Sequence, residues 1–541
     1  MKLEPTAEQR DVIDAFKTGQ DVTISAGAGC GKSATLGMLA ESTSQRGLLI
    51  AFNRAVAEEA SRKLSNTNTT ALNTHRIAYR WARGDKDGSV ALDKLNSSKR
   101  ISWFQVASAF QIQPFVYGDQ SFRKRLEKKN VTNAATSALD NFLKSGDDEI
   151  TGKHMPYIRG LEAPDVYGRG PVHEELSKVV IPLAKRMWEN ILSPNASDMR
   201  VTHDVYLKLW AMSKPDLGYD FILLDEAQDT NPAVMSVFEN QPMQKIAVGD
   251  KNQQLYQFTG SVNAMDEFKA DLHVKLQQSW RFGESIQDAA NVFLDRLNAD
   301  IRLKGNPNVE SRIVENAPFD PHASSATLVR TNAGAIQELI SALESEQKVF
   351  LIGGNSQFKT LIKAAGDLRD GRSVSHPDFA GFSDWTEAVE YANEDGGADL
   401  KVIVDLIENH GSRTLLGALD KCVGREQDAQ KVISTVHKVK GREWDHVRLA
   451  DDFMRSSKKK DKDESSKGAR EALMFYYVAV TRAKHLLDPG PLAPDLAGVA
   501  SPSESIQLSL PDDVREQLDS ARGDMSMDDY ILSLIKKDQE G

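Results

Sequence analysis

Residues 26–33 read AGAGCGKS, and the residues on either side of this stretch show which fold it belongs to. An apolar run at 22–24 precedes it, and a helical pattern at 34–41 follows it. A small residue, four variable positions, Gly-Lys and then Ser or Thr form a phosphate-binding loop when they lie between a strand and a helix. The glycines let backbone N–H groups surround phosphates, Lys32 supplies a positive charge, and the Ser33 hydroxyl is a magnesium ligand. The sequence therefore predicts a parallel α/β sheet with a nucleotide site.

The phosphate-binding loop supplies most of the predicted cofactor contacts. We assign them to Ala26, Gly27, Ala28, Gly29, Cys30, Gly31, Lys32, Ser33 and Ala34. Cys30 stands where a Ser or Thr is more common, and tolerance of a similar size explains it. The alternative interpretation is a thiol that reacts with alkylating reagents beside the bound phosphate.

A second element, FILLDEAQD at 221–229, is an apolar strand that ends in two adjacent carboxylates. In a parallel sheet the carboxyl end of such a strand faces the phosphate-binding loop. We therefore expect Asp225 to hold the Mg²⁺ bound by Ser33, and Glu226 to orient and deprotonate the water that attacks the γ-phosphate. The alternative is a buried strand followed by a solvated acidic turn.

Length and composition set limits on the function classes. A chain of 541 residues is too long for one core, so it predicts several structural units. No apolar stretch approaches the roughly 20 residues of a membrane span, and the first ten residues lack the apolar segment of a secretory signal. Cys30 and Cys422 are too few for a disulfide framework or a four-cysteine zinc site, which favours a reducing cytoplasm. The net charge of −11 means that any nucleic-acid binding is local.

The strand and helix patterns divide the chain into two α/β parts. Strand patterns occur at 22–24, 48–52, 221–224, 245–248, 326–330, 348–352, 431–434 and 446–449. Helical periodicity alone fills the region from about His75 to Tyr206, which predicts a helical insertion in the first sheet. A short, weakly patterned insertion at 371–425 interrupts the second.

Seven further motifs occur along the chain, one before the phosphate-binding loop and six after it. They are Gln9 in PTAEQRDVI, FNR at 52–54, NTH at 73–75, GDKNQQLYQFTG at 249–260, WR at 280–281, STVHKVKGREW at 434–444 and YVAVTRA at 477–483. In this order they resemble the motifs of the UvrD/Rep/PcrA group of superfamily 1 helicases, and IAFNRAVAEEA is similar to the shorter F-box DNA helicase-like branch.

The resemblance implies a role in ATP binding and hydrolysis for several residues. Gln9 would recognise the adenine edge, Gln253 would sense the γ-phosphate, and Arg281 and Arg482 would neutralise charge on the phosphoryl group. Gly441 and Glu443 would also contact the nucleotide. The implied catalytic set is Lys32, Glu226, Gln253, Arg281 and Arg482, with ATP and Mg²⁺ as cofactors.

The resemblance also implies contacts to a single strand of nucleic acid. The implied residues are Phe52, Asn53, Thr74, His75, Tyr256, Phe258, Trp280, Thr435 and His437. For the motifs at 52–54 and 73–75, the alternative is an ordinary strand end and helix cap. The chain departs from the family at Phe258, where Trp is usual, and at Thr259, where Arg is usual. RNA is not excluded, because stacking and backbone contacts discriminate poorly between sugars.

The implied fold class is α/β, with two RecA-like parallel-sheet domains of the phosphate-loop NTPase type and a helical insertion in each. The expected boundaries are 1–77 with 206–275 for the first domain, 78–205 for its insertion, 276–370 with 426–500 for the second domain, and 371–425 for a reduced insertion. Residues 501–541 form a strand-helix-helix pattern that resembles a ribbon-helix-helix unit. That tail either joins the chain to a second copy or a protein partner, or packs on the helicase body.

The implied function is an ATP-dependent translocase or helicase on single-stranded DNA or single/double-strand junctions. The resemblance implies a 3′ to 5′ direction, with unwinding or protein displacement in replication, repair or recombination. The alternative is a nucleotide-gated assembly or DNA-binding switch subunit of a phage or defence complex, with little unwinding.

Overall fold

The computed structural model describes residues 4–496 with internal gaps. The gaps are 52, 98–100, 119–123, 157, 159–169, 256–263, 318–323, 373, 375, 377–378, 380–381, 383, 394–397 and 454–466. The tail at 501–541, and with it the predicted strand-helix-helix unit, lies outside the described residues.

The described residues form strands and helices that alternate through most of the chain. The strands are β1 (Val22–Ala26), β2 (Gly47–Ala51), β3 (Thr69–Asn73), β4 (Phe115–Tyr117), β5 (Lys124–Leu126), β6 (Phe221–Leu224), β7 (Gln244–Gly249), β8 (Leu272–Leu276), β9 (Arg312–Ile313), β10 (Ser325–Val329), β11 (Val349–Leu351), β12 (Lys431–Thr435), β13 (Trp444–Leu449) and β14 (Ala483–Asp488). The helices are α1 (Ala7–Lys17), α2 (Lys32–Glu41), α3 (Arg54–Lys63), α4 (Thr74–Ala82), α5 (Lys86–Ser97), α6 (Trp103–Ala109), α7 (Lys128–Lys144), α8 (Pro171–Leu192), α9 (His203–Met212), α10 (Pro232–Glu239), α11 (Ala264–Glu267), α12 (Glu284–Arg296), α13 (Asn332–Glu344), α14 (Ser356–Arg369), α15 (Trp385–Asn393), α16 (Ala398–Asp420) and α17 (Lys467–Val480).

The first sheet has the strand order β3-β2-β6-β7-β1-β8, and every pair in it is parallel. The central strands β2 and β6 are buried along their whole length, as expected for continuous apolar runs covered on both faces. Because all strands run in one direction, their carboxyl ends meet at one edge. That edge carries the phosphate-binding loop after β1 and the two carboxylates after β6.

The second sheet has the order β11-β12-β10-β13-β14-β9, and its pairs are also parallel. Helices α13, α14 and α16 supply most of the apolar cluster on one side of it. Two parallel sheets built in this way confirm the predicted α/β class with two RecA-like domains.

The insertion between β3 and β6 has its own apolar core, formed mainly by residues of α7, α8 and α9. It is not wholly helical, because β4 and β5 form a short antiparallel pair that the sequence patterns did not indicate. The smaller insertion consists of α15 and α16, which pack on the helices beside the second sheet. No helix among the described residues has the length and apolar character needed to cross a membrane.

Candidate nucleotide-binding site

The phosphate-binding loop connects β1 to α2 in the conformation that its glycines allow. Gly29 and Gly31 have φ angles of +74° and +78°, a left-handed region that favours glycine. A Cβ at Gly29 would lie 2.5 Å from Ser279 Oγ, and one at Gly27 would overlap the side chain of Leu303. The loop therefore has no room for side chains at these positions, so its backbone can approach a phosphate closely.

Lys32 lies against the carboxylate predicted to be the general base. Its Nζ atom is 2.8 Å from Glu226 Oε1, and Lys440 Nζ is 3.3 Å from Oε2 of the same group. Burial acts to raise the pKa of Glu226, but the charges of Lys32 and Lys440 outweigh it and hold that pKa well below its usual range. Glu226 is therefore ionised, with a lysine from each half of the molecule beside it.

Gln228 fixes the position of Glu226 from the other side. Its Nε2 atom donates to Glu226 Oε2 at 2.6 Å, and its Oε1 atom accepts the backbone N–H of Asp250 at 3.1 Å. Asp229, which follows it, pairs with Lys440. Glu226 itself has a φ angle of +52°, which is unusual for a residue with a side chain and is characteristic of functional sites.

Asp225 and Ser33 line one cavity, so their oxygens are available to a metal ion. The pKa of Asp225 is raised to about 6, first by burial and then by the charge of Glu226. No group of three or more His, Cys, Asp or Glu within the described ranges could hold a metal ion by itself. This donor set fits Mg²⁺, which binds through one or two protein oxygens together with substrate phosphates and water.

A buried tyrosine connects the two sheets at the phosphate-binding loop. The hydroxyl of Tyr477 donates to Asp250 Oδ2 at 2.8 Å and accepts the backbone N–H of Ala28 at 3.1 Å. Gln253 Nε2 donates to the same Asp250 oxygen at 2.7 Å. The Tyr477 hydroxyl of α17 thus joins the loop to the Asp250 carboxylate in the turn after β7.

Arg482 reaches Gln253 from the start of β14. Its Nη2 atom donates to Gln253 Oε1 at 3.3 Å, and its Nε atom donates to the carbonyl of Val478 at 2.9 Å. Burial, and then the nearby charge of Arg281, lower the pKa of Arg482 to about 9. Its Nη1 atom donates to the carbonyl of Arg442 at 3.3 Å. A buried guanidinium that lines the cleft is well suited to an anionic ligand.

Arg281 lies on the segment that leads from β8 to α12. Its guanidinium pairs with Glu443 at 2.6 Å and donates to the carbonyl of Thr481 at 2.8 Å. A cleft of about 310 Å³ collects most of the predicted nucleotide residues. Its lining is Ala28, Gly29, Cys30, Gly31, Lys32, Ser33, Ala34, Glu226, Gln253, Arg281, Lys440, Gly441 and Arg482.

Gln9 and Trp280 lie together beside Gly31. A Cβ on Gly31 would be 3.5 Å from Trp280 Cδ1 and 3.7 Å from Gln9 Nε2. The backbone N–H of Trp280 donates to the carbonyl of Gly29 at 2.9 Å. Trp280 is 47% exposed, so it is accessible to a ligand.

Comparison with known families agrees with this geometry. The model of the UvrD/REP helicase N-terminal domain matches residues 6–273, and that of the UvrD-like helicase C-terminal domain matches residues 381–488. The chain belongs to the UvrD-like superfamily 1 helicases. The predicted family is thereby confirmed.

Two relatives of this helicase chain carry the F-box name. F-box DNA helicase 1 of Gallus gallus is 30% identical over 90% of this chain and 49% of its own length. F-box DNA helicase protein 1 of Schizosaccharomyces pombe is 28% identical over 89% of this chain and 57% of its own length. The chain thus spans about half the length of these relatives. Among solved structures, the one titled "The structure of PRRSV helicase" covers 88% of this chain and 53% of its own, with 11% identity and a TM-score of 0.27, which is too low to carry an argument.

The predicted nucleic-acid residues of this UvrD-like helicase lie at strand ends where they are described. Asn53 follows β2 and caps α3 by accepting the backbone N–H of Val56 at 2.9 Å. Thr74 and His75 open α4 directly after β3. The capping role expected from the alternative interpretation is thus present at Asn53, and it leaves a nucleic-acid role open.

On the second sheet, Thr435 ends β12 and is buried, and His437 packs its ring 5.0 Å from that of Phe475. Phe52, Tyr256 and Phe258 lie outside the described residues, so their predicted contacts stay predictions.

Three residues of the site were quoted within motifs but given no role by the sequence. Gln228, Lys440 and Tyr477 make contacts that join separate motifs. The signal available for Lys440 was its place directly before the glycine of VKG, which puts a lysine near any phosphate held by that turn. The partners of Gln228 and Tyr477 come from distant parts of the chain, so no local pattern names them.

Proposed function

We propose that this chain hydrolyses ATP to move along single-stranded DNA and to separate a duplex or displace proteins. The observation that carries the proposal is that Lys32 and Glu226, from the first sheet, and Arg482, from the second, line one cleft. Phosphoryl transfer depends on such positioned charges. A cleft with walls from two sheets links each hydrolysis event to their relative movement.

The pairing of Lys32 with Glu226 gives the first step. The phosphates of ATP compete for Lys32 Nζ, which releases Glu226 Oε1 to accept a proton from water. Gln228 keeps the carboxylate oriented while this exchange takes place. Magnesium, when bound to Ser33 and Asp225, supplies neutralising charge to the phosphates.

Arg281 and Arg482 stabilise the negative charge that develops on the transferred group. Arg482 is held by Gln253, and Gln253 is held by Asp250, so a change at the phosphate reaches the turn after β7. That turn runs directly into the segment that carries Tyr256 and Phe258. We infer that this connection couples the nucleotide state to the grip on bases.

For Trp280 we propose a nucleotide contact in place of the nucleic-acid contact expected from the sequence. Trp280 is 47% exposed and lies beside Gln9. The Gln9 amide accepts the Thr6 N–H and donates to the Thr35 hydroxyl, which leaves it one further N–H and one further lone pair for an adenine edge. An aromatic ring next to such an amide suits a purine. The 3′ to 5′ direction rests on the family alone and stays part of the proposal.

Steady-state ATP hydrolysis tests the function, with no nucleic acid, with single-stranded DNA, and with RNA of the same sequence. Stimulation by DNA is expected, and strand displacement with substrates tailed at the 3′ or 5′ end then reports direction. Glu226→Gln should bind ATP and turn it over about 10²–10⁴-fold more slowly. Lys32→Ala should abolish turnover. Hydrolysis indifferent to nucleic acid would favour the assembly-switch alternative.

A further inference from the structure

A basic and aromatic face covers one side of α4. His75, Arg76, Tyr79, Arg80 and Arg83 are exposed, and they recur at the spacing that places side chains on one side of a helix. The helix sequence THRIAYRWA contains no acidic residue. Because the whole chain carries a net charge of −11, three exposed arginines on one face mark a local departure from its overall charge.

A buried tyrosine holds the rings of this face in place. Tyr206 is 2% exposed, and its ring centroid lies 5.9 Å from those of His75 and Tyr79 and 5.7 Å from that of His203. The Tyr206 hydroxyl also lies 3.3 Å from His75 Nδ1 and 3.1 Å from His203 Nδ1. His75, Tyr79 and His203 are themselves exposed, so they form a fixed platform of rings at the surface.

The positive charge continues onto α3. The pKa of Glu58 is lowered by its hydrogen bond and ion pair with Arg54, and also by the charges of Arg62 and Arg76. Three arginines, Arg54, Arg62 and Arg76, therefore act on the one carboxylate of Glu58. Asp204 is the acidic group whose charge acts on His75 from α9.

We propose that the α4 face, defined as Arg76, Tyr79, Arg80, Arg83 and His203 next to His75, is a binding subsite for single-stranded DNA that lengthens the footprint beyond His75 and the other residues expected from the family motifs. Arginines contact phosphates, and exposed rings stack on bases without regard to sequence. Asn53 and Arg54 lie at the start of α3, so the face prolongs a path that begins at the end of β2. The subsite rests on the proposed function, because it needs a single strand on the first sheet.

The test compares oligo-dT of about 8 and about 25 nucleotides by fluorescence anisotropy over a series of salt concentrations. The variant Arg76→Ala/Arg80→Ala/Arg83→Ala should bind the long strand with a log K against log salt slope shallower by about 2, since each phosphate contributes about 0.7. Tyr79→Ala should weaken long-strand binding about tenfold without changing the slope, and Tyr79→Phe should bind as the wild type does. Binding of the short strand should change little.

Arg46→Ala is the control for the loss of one arginine charge and is compared with Arg80→Gln, because Arg46 lies at the amino end of β2, whereas α4 follows the carboxyl end of β3, and its side chain is 68% exposed. It should leave both affinities at the wild-type values. Thermal unfolding checks each fold, and the single variant Arg80→Gln replaces the triple one if that fails to fold. A wild type that binds no single-stranded DNA overturns the proposed function. Two outcomes overturn the subsite alone when the wild type binds single-stranded DNA. In the first, the variants bind the long strand as tightly as the wild type does. In the second, they lose the same affinity for the short strand as for the long one.

Discussion

Lys440 of the second sheet reaches Glu226 of the first, with 3.3 Å between Nζ and Oε2. The same ammonium group pairs with Asp229, whose side chain is buried. Burial, offset in part by the charge of Glu226, lowers the pKa of Lys440 to about 8. One lysine thus connects the proposed general base and the turn that follows it to the opposite half of the cleft.

Removal of this lysine should destabilise the protein. Lys440→Met leaves Asp229 buried with an unpaired charge, and breaking a buried pair in this way costs about 3–5 kcal/mol. Calorimetry should therefore show a fall of several degrees in the unfolding temperature. The double variant Lys440→Met/Asp229→Asn should recover part of that loss, because it removes the stranded charge. If the fall in unfolding temperature of the double variant equals the sum of the falls caused by the two single substitutions, the pairing is contradicted.

Tyr477→Phe should impair ATP turnover because it deletes one hydroxyl that serves two partners. The backbone N–H of Ala28 loses its acceptor, and Asp250 loses one of its donors. A buried group left unpaired costs about 1–3 kcal/mol, so kcat/KM for ATP should fall about tenfold or more. The matched control is Tyr476→Phe, which removes a hydroxyl from the adjacent buried residue. Equal effects of the two substitutions would show that the connection to the loop has no part in turnover.

The residues of the site were easier to predict from the sequence than the contacts between its motifs. Local sequence alone brought residues 28–34 and Glu226 into one predicted site, and the structure places them along one cleft. Their roles in phosphate binding and water activation stay predictions. Gln228, Lys440 and Tyr477 are different, since each contacts a residue of another motif that local sequence does not bring to it. Trp280 shows the same limit, because only the fold brings it beside Gly31.

Every interior strand of the two large sheets except β14 was predicted, and β11 was the one edge strand that was predicted. Strands β3, β8 and β9 lie at sheet edges and β14 lies next to one, and none of the four was identified from the sequence. A central parallel strand is buried on both sides and reads as an apolar run, whereas LHVKL of β8 alternates between intermediate and exposed positions until Leu276. The sequence of β14, AKHLLD, likewise mixes polar and apolar residues.

Cys30 should resist alkylation. Its environment favours the interpretation that the loop accepts a cysteine here because it is similar in size to Ser or Thr. Burial, followed by the charges of Asp250 and Glu8, raises the pKa of its thiol, so the reactive thiolate does not form near neutral pH. Its side chain is 3% exposed. Incubation with N-ethylmaleimide at pH 7.5 should leave ATP hydrolysis unchanged, and Cys422→Ser provides a background in which Cys30 is the remaining thiol. Inactivation that ATP prevents would contradict this expectation.

The burial of Lys208 predicts that the free energy of unfolding of the protein rises with pH. It is 1% exposed, and its Nζ atom donates to the carbonyls of Ser145 at 2.7 Å and Asp147 at 2.5 Å, just beyond the end of α7. Burial lowers the pKa of Lys208 from 10.5 to about 8, with the charges of Asp147 and Asp148 opposing. Between these two pKa values the unfolded chain keeps the proton that the folded protein has lost, so the free energy of unfolding increases with pH.

The gain over that interval should approach about 3 kcal/mol, at 1.36 kcal/mol for each pKa unit. The unfolding temperature of the wild type minus that of Lys208→Met, followed from pH 7.5 to 10, isolates this group because both proteins share every other titration. The difference should rise as the pH rises. A difference that falls would mean that folding favours the charged ammonium, and that its hydrogen bonds to the two carbonyls outweigh the cost of burying it.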